Sequence, residues 1–220
     1  MRNLKILGLA LVAMLAMSAV AASMASADTF TAEKYPVTIT GDQDGQTDVF
    51  TTTAGTVSCK KATYVGTVAA ASKEASATPT YSECTGLGFP VTIDTNGCSY
   101  KFTMTDVVTD ASTTARVDIV CPGTEEITVT AKSGATTKCI IHIPPQTTLS
   151  HVELSNIGTG TTREITGNIT ISGIKYTHTA GTGVGACTGG SASNGSYAGR
   201  VRLTGEETVS PFNHIGIFLS

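Results

Sequence analysis

The sequence predicts an all-β protein, an antiparallel β sandwich tied by three disulfides, and three observations lead there. Thr occurs 39 times and Gly 23 times in 220 residues, while charged residues make up only 14%. The polar faces are therefore built from a β-branched residue that favours pleated backbone over helix. Apolar residues alternate at period two through the chain after residue 27, and no stretch of about eleven residues there shows a helical apolar period. All six Cys (Cys59, Cys84, Cys98, Cys121, Cys139 and Cys187) lie in that same part, an even set suited to complete pairing in an oxidising compartment. None is spaced C-x-x-C, which argues against redox or zinc-ribbon use.

The first element is an export signal. Arg2 and Lys5 form a positive start, Ile6 to Val20 is apolar and uncharged, and Ala25, Ser26 and Ala27 give the A-x-A cleavage pattern. Together these read as a secretory signal peptide over residues 1–27, cleaved before Asp28. A membrane anchor fits less well, because the apolar run dissolves into Ala and Ser short of the ~20 strongly apolar residues a spanning helix needs. No transmembrane segment is expected after cleavage, and no Cys stands near the cleavage point to accept a lipid. Removing 27 of 220 residues leaves 193, enough for one large β domain over 28–220 or two β lobes. The mature part keeps 17 Asp and Glu against 12 Lys and Arg, a net charge of about −5 that disfavours nucleic acid and anionic lipid.

The strands follow in order. Tyr35, Val37 and Ile39 alternate up to Gly41; Phe50 pairs with Val57 and Cys59 around Gly55; Ala69 to Ala77 reads as a connection of low hydrophobicity. Val91 and Ile93 run into Asn96 and Gly97, two residues that tolerate positive φ, and the chain is expected to return as a hairpin through Cys98, Tyr100 and Phe102. Residues 98–104 and 115–121 both alternate. Setting Cys98 opposite Cys121 places Tyr100 against Ile119, Phe102 against Val117 and Met104 against Ala115, with Lys101 facing Asp118 on the other side. A slip of one residue breaks every one of these pairs.

Ile127 and Val129 are expected to pair with Cys139 and Ile141 around Ser133 and Gly134. Pro144 and Pro145 end that strand and mark the candidate internal boundary near 144–146. Val152 and Leu154 begin another. Ile165, Ile169 and Ile171 take odd positions and Ile174, Tyr176 and His178 even ones, so a β-bulge is placed at Gly173. Residues 180–195 read as a Gly- and Ser-rich exposed loop anchored at Cys187. Tyr197, Val201 and Leu203 form a strand whose other face carries Arg200 and Arg202, and Ile215 to Leu219 is apolar enough to be buried. The expected disulfides join sequence neighbours: Cys98 to Cys121 from the register, Cys59 to Cys84 from a hairpin about the Ala-rich connection, and Cys139 to Cys187 as the remaining pair.

The run Cys59, Tyr64, Pro79, Tyr81, Cys84, then Asn96, Gly97, Cys98, Tyr100, Phe102, then Cys121 and Pro122 resembles uncharacterised exported β-rich proteins of actinobacteria. The resemblance covers about half of the mature chain. It implies a bacterial exported protein and carries no activity.

Few residues point to chemistry. Asp42, Asp44 and Asp48 in GDQDGQTD offer clustered carboxylates to calcium, but the spacing of a calcium-binding loop is incomplete, and an acidic turn explains the same residues. His142, His151, His178 and His214 are scattered over different segments without a metal-ligand spacing. G-x-S-x-G is absent, and Glu125 with Glu126, like Glu206 with Glu207, point to opposite faces of a strand. Asn168 and Asn194 open sequons that a bacterial export signal makes incidental. Trp is absent, which disfavours a saccharide platform built on flat rings. No catalytic, cofactor or metal residue is assigned. The expected function is that of an exported, non-enzymatic extracellular or cell-envelope protein acting by binding or structure, with the partner unknown. The alternative is a secreted hydrolase whose site is assembled from loop residues.

Overall fold

A computed structural model describes residues 28–106, 108–109, 111–209 and 212–220. The signal peptide expected over 1–27 lies outside them. The described residues form strands joined by turns, with one short 3-10 turn at Gly160–Thr162. In chain order the strands are β1 (Phe30–Ala32), β2 (Val37–Gln43), β3 (Asp48–Thr52), β4 (Gly55–Val68), β5 (Glu74–Gly86), β6 (Phe89–Asp94), β7 (Ser99–Met104), β8 (Ser112–Val120), β9 (Ile127–Ser133), β10 (Thr136–Ile143), β11 (Gln146–Ile157), β12 (Glu164–Ala180), β13 (Gly190–Glu207), β14 (His214–Ile215) and β15 (Ile217–Leu219). The pairings are antiparallel, for example β4 with β5 and β12 with β13.

Four long strands shape the molecule. β4, β5, β12 and β13 run for 14, 13, 17 and 18 residues, well beyond the usual ~5–6. Each changes neighbour along its length. β5 pairs with β7 over Glu74–Ala77 and with β6 over Cys84–Gly86. β12 pairs with β11 up to Ile169 and with β10 from Thr177 onward. The sheet thereby turns over on itself as an antiparallel β sandwich whose inward face buries Val57, Val117, Val129, Ile141, Leu154 and Ile165. Strands on both sides of Pro144 and Pro145 belong to this one hydrogen-bonded sheet. The two ends of the described chain meet: the amides of Thr29 and Ser220 each donate to the other's carbonyl, at 2.8 and 3.1 Å, and β1 pairs with β15.

The register read from alternation at 98–121 is present residue for residue, with Tyr100 opposite Ile119, Phe102 opposite Val117, Met104 opposite Ala115 and Lys101 opposite Asp118. The three disulfides are Cys59–Cys84, Cys98–Cys121 and Cys139–Cys187. In the chain-entropy account, loops of these lengths stabilise by about 3–4 kcal/mol each before native strain is subtracted. The β9–β10 hairpin forms with Val129 opposite Ile141 and Ala131 opposite Cys139. Gly173 has φ +77° at the register shift in β12, where a bulge is expected.

Three expectations are corrected. The Asn96–Gly97 turn forms, with φ of +49° and +75° and the Cys98 amide donating to the Thr95 carbonyl at 2.7 Å, yet it joins no hairpin. β6 pairs with β5 and β9, and β7 with β5 and β8. The turn is a corner, pinned by the Asn96 side-chain amide donating to the Glu126 carbonyl at 2.8 Å. Ala69 to Ala77 is not all connection: β5 starts at Glu74, and Ala75 and Ala77 pair with Phe102 and Tyr100. Small residues suit that stretch because β5 lies close to β4; a Cβ on Gly66 would sit 2.1 Å from the Ser76 carbonyl oxygen. The loop expected at 180–195 is shorter, since β12 reaches Ala180 and β13 begins at Gly190. Backbone pairing of Thr177 and His178 with Ser191 and Gly190 overrides the weak strand propensity of Gly and Ser.

Candidate functional site

Two places gather polar groups, one inside the sandwich and one on its surface. Inside, Asp48 at the start of β3 points into the core and is 3% exposed. Its carboxylate accepts from the Tyr64 hydroxyl at 3.3 Å. Tyr64 and Tyr197 hydroxyls lie 3.0 Å apart, and those of Tyr81 and Tyr100 2.9 Å apart. The carboxyl fits only because residue 199 is glycine: a Cβ there would come within 2.1 Å of Asp48 Oδ1. Burial pushes the Asp48 carboxyl up to about 6, against the pull of the Tyr197 and Tyr64 hydroxyls that donate to it. The same burial raises the phenols of Tyr64, Tyr81, Tyr100 and Tyr197. The adjoining cavity, walled by Phe50, Val117, Val129 and Ile171 among others, measures about 60 Å³. That is room for a few waters and well below the roughly 300–1,000 Å³ of small-molecule sites.

The surface site begins with sequence. Pro144 and Pro145 have no amide to donate, so the chain leaves β10 and crosses to β11 without strand pairing. β11 then aligns with β8 irregularly: Gln146 opposite Ile119, Leu149 opposite Val117 and Val152 opposite Ala115, with a register shift in each interval. Each interval spans three residues of β11 and two of β8, so β11 bulges twice. Its pairing with β12 ends at Val152 opposite Ile169, and β10 takes up the same edge of β12 only at Thr177. Between those points the sheet parts. Among the described residues no strand lies beside the edge of β12 from Thr170 to Lys175, and the Gln146 side chain substitutes at one residue. Its Oε1 accepts from the Lys175 amide at 2.9 Å, and its Nε2 donates to the Lys175 carbonyl at 3.1 Å.

The opening is a cleft of about 730 Å³, lined by Val120, Pro145, Gln146, Thr148, Gly173 and Lys175 with their neighbours. Thr148, a β-branched residue, sits at φ +62°, a conformation costly for that side-chain type. It is held there by its amide donating to Asp118 Oδ1 at 2.7 Å. Asp118 is 6% exposed, with Lys101 Nζ 3.8 Å away. The Cys98–Cys121 disulfide braces the β7–β8 end of the wall. Lys175 forms no ion pair among the described residues.

The residues singled out from sequence are dispersed. Asp44 pairs with Arg200 at 3.3 Å, Asp48 turns inward, and Asp42 lies on β2 opposite Thr63 and Arg202, so the three carboxylates do not converge. Among the described residues no group of three or more His, Cys, Asp or Glu is placed to hold a metal ion. His142 Nδ1 lies 2.6 Å from Glu126, and His151 Nε2 lies 3.2 Å from Glu153. His178 rests against Tyr176, its imidazole lowered by burial, and His214 lies on β14 opposite Glu206. Asn194 accepts from the Tyr176 hydroxyl at 2.9 Å. Sequence reasoning offers Asp48 only as a calcium ligand and signals neither its tyrosine cluster nor the cleft as a site. The signal for the cleft was present in the Pro pair followed by a lapse in alternation from Gln146 to His151.

No protein-family model, curated protein or solved structure matches this chain.

Proposed function

We propose that the mature chain is an exported, non-enzymatic protein that acts outside the cytoplasm by binding, with the parted sheet between β11 and β12 as its ligand site. The parted sheet carries the reading. Its volume of about 730 Å³ falls within the range of ligand sites, and neutral donors and acceptors converge there beside one cation. Rigid strands position those groups, as the strained Thr148 held on a buried carboxylate illustrates. Disulfides and the A-x-A pattern support export, and the resemblance to exported actinobacterial proteins supports a bacterial cell surface.

The test is amide chemical-shift mapping of the isotope-labelled secreted protein titrated with the peptide and glycan fractions of a bacterial wall digest. Perturbations clustered at residues 119–121, 146–149 and 172–175 are the expected result. Perturbations elsewhere, or turnover of a member of a hydrolase substrate panel, contradict the reading.

A further inference from the structure

We infer that the ligand taken by this cleft is an extended peptide, which adds to the open edge of β12 and sets a carboxylate against Lys175. The inference rests on the binding role proposed above and names its ligand class.

β12 is partnered on its far side by β13 from Ile165 opposite Leu203 to His178 opposite Gly190, with register shifts between Ser172 and Ile174 and between Ile174 and Tyr176. On its near side the partner is missing only between Ile169 and Thr177. A strand's backbone donors and acceptors recur on each edge at every second residue, so this gap presents a short ladder of the kind that another extended chain completes. Gln146 shows what the edge accepts: a planar amide using both its oxygen and its nitrogen on Lys175, as the N–H and C=O of one residue of an antiparallel strand do. Open edges are normally covered or blunted by charge. This one borders a cleft whose other wall is Val120, Pro145 and Thr148, with room for a single extended chain. Ser172 and Gly173 on the edge are small and exposed, which lets a backbone approach closely. Charge sets the remaining preference. Lys175, unpaired among the described residues, favours a peptide with an acidic side chain or a free C-terminus near that end.

The experiment selects displayed peptides on the immobilised secreted protein, then measures the synthesised winners by calorimetry and hydrogen exchange. Enriched sequences carrying an acidic residue or terminal carboxylate are expected. They should slow exchange of the Thr170–Gly173 amides that face away from β13, and bind at least tenfold more weakly to Lys175→Glu. Lys34→Glu, outside the cleft, should bind as the native protein does. Failure to enrich any peptide, or winners that bind without slowing that exchange, overturns the inference. Binding of an acidic oligosaccharide such as trigalacturonate, with shifts at Thr147, Thr148 and Lys175 and no exchange protection, also overturns it while leaving the binding reading standing. If neither peptide nor saccharide perturbs the cleft, both readings fall.

Discussion

Asp48 and Asp118 are both buried aspartates in one sandwich, 3% and 6% exposed, and they are satisfied in opposite ways. Asp118 has the Thr148 amide at 2.7 Å and Lys101 at 3.8 Å. Asp48 has tyrosine hydroxyls around it and, among the described residues, no cation paired with it. A buried carboxylate without a counter-charge favours its proton, whereas one with an amide and an ammonium can hold a neighbour in place. The first arrangement fills a core with a hydroxyl network. The second spends its hydrogen bond on a strained threonine at the rim of a cleft, the place of the proposed ligand site.

The largest effect separating the two regions is expected at Gly199. Gly199→Ala puts a Cβ onto the Asp48 carboxyl and should destabilise by about 3 kcal/mol, the upper part of the overpacking range. Chemical denaturation checks this, and the cleft's ligand affinity should be unchanged wherever the variant is folded. An unchanged midpoint would mean that Asp48 does not occupy that space.

Next in size is the pH response of Asp48. Its folded value of about 6 lies above the ordinary 3.8, so the folded state binds the proton more tightly. The associated stability is fully present below about pH 4 and is lost as pH climbs through 6. The loss amounts to about 2–3 kcal/mol at most. Asp48→Asn, which keeps an acceptor for the tyrosines, should flatten this decline and raise stability at pH 7. Thermal melts from pH 4 to 8 that fall equally in both proteins would assign the decline to other groups.

A smaller effect distinguishes the rim. Thr148→Gly relieves a positive φ and adds chain entropy to the unfolded state, so stability should change by no more than about 1 kcal/mol. Binding in the cleft should weaken nonetheless, because the wall loses its fixed shape. The smallest effect is that of calcium. With Asp42, Asp44 and Asp48 directed to different partners, melts with added calcium and with EDTA should superimpose, and a rise of several degrees with calcium would return these residues to a shared ligand set.

Much of this architecture was legible because alternation states which face of a strand is buried. Tyr100, Phe102, Val117 and Ile119 fixed a register and with it the Cys98–Cys121 bond. Alternation does not state which strand lies alongside, and the Asn96–Gly97 corner shows the difference. The same turn chemistry serves a hairpin or a change of layer, and the choice was made by β5, long enough to pair with β7 at one end and β6 at the other. The Asp48 cluster was illegible for a related reason. Its members come from β3, β4, β5, β7 and β13, and an acidic turn gives no hint that one of its aspartates faces inward opposite a glycine 151 positions later. The cleft lies between: its Pro pair reads as a boundary in the sequence, while the parting of β11 from β12 depends on two bulges that no short motif encodes.

Among the described residues the sheet is open along one edge of β12, and hydrogen exchange of the free protein tests this directly. The outward amides between Thr170 and Gly173 should exchange orders of magnitude faster than those of Ile165 to Ile169 and Thr177 to Thr179 on the same strand, where β11, β10 and β13 supply partners. Uniform protection from Ile165 to Thr179 would mean that the edge is closed, and would contradict both the cleft and the function proposed for it.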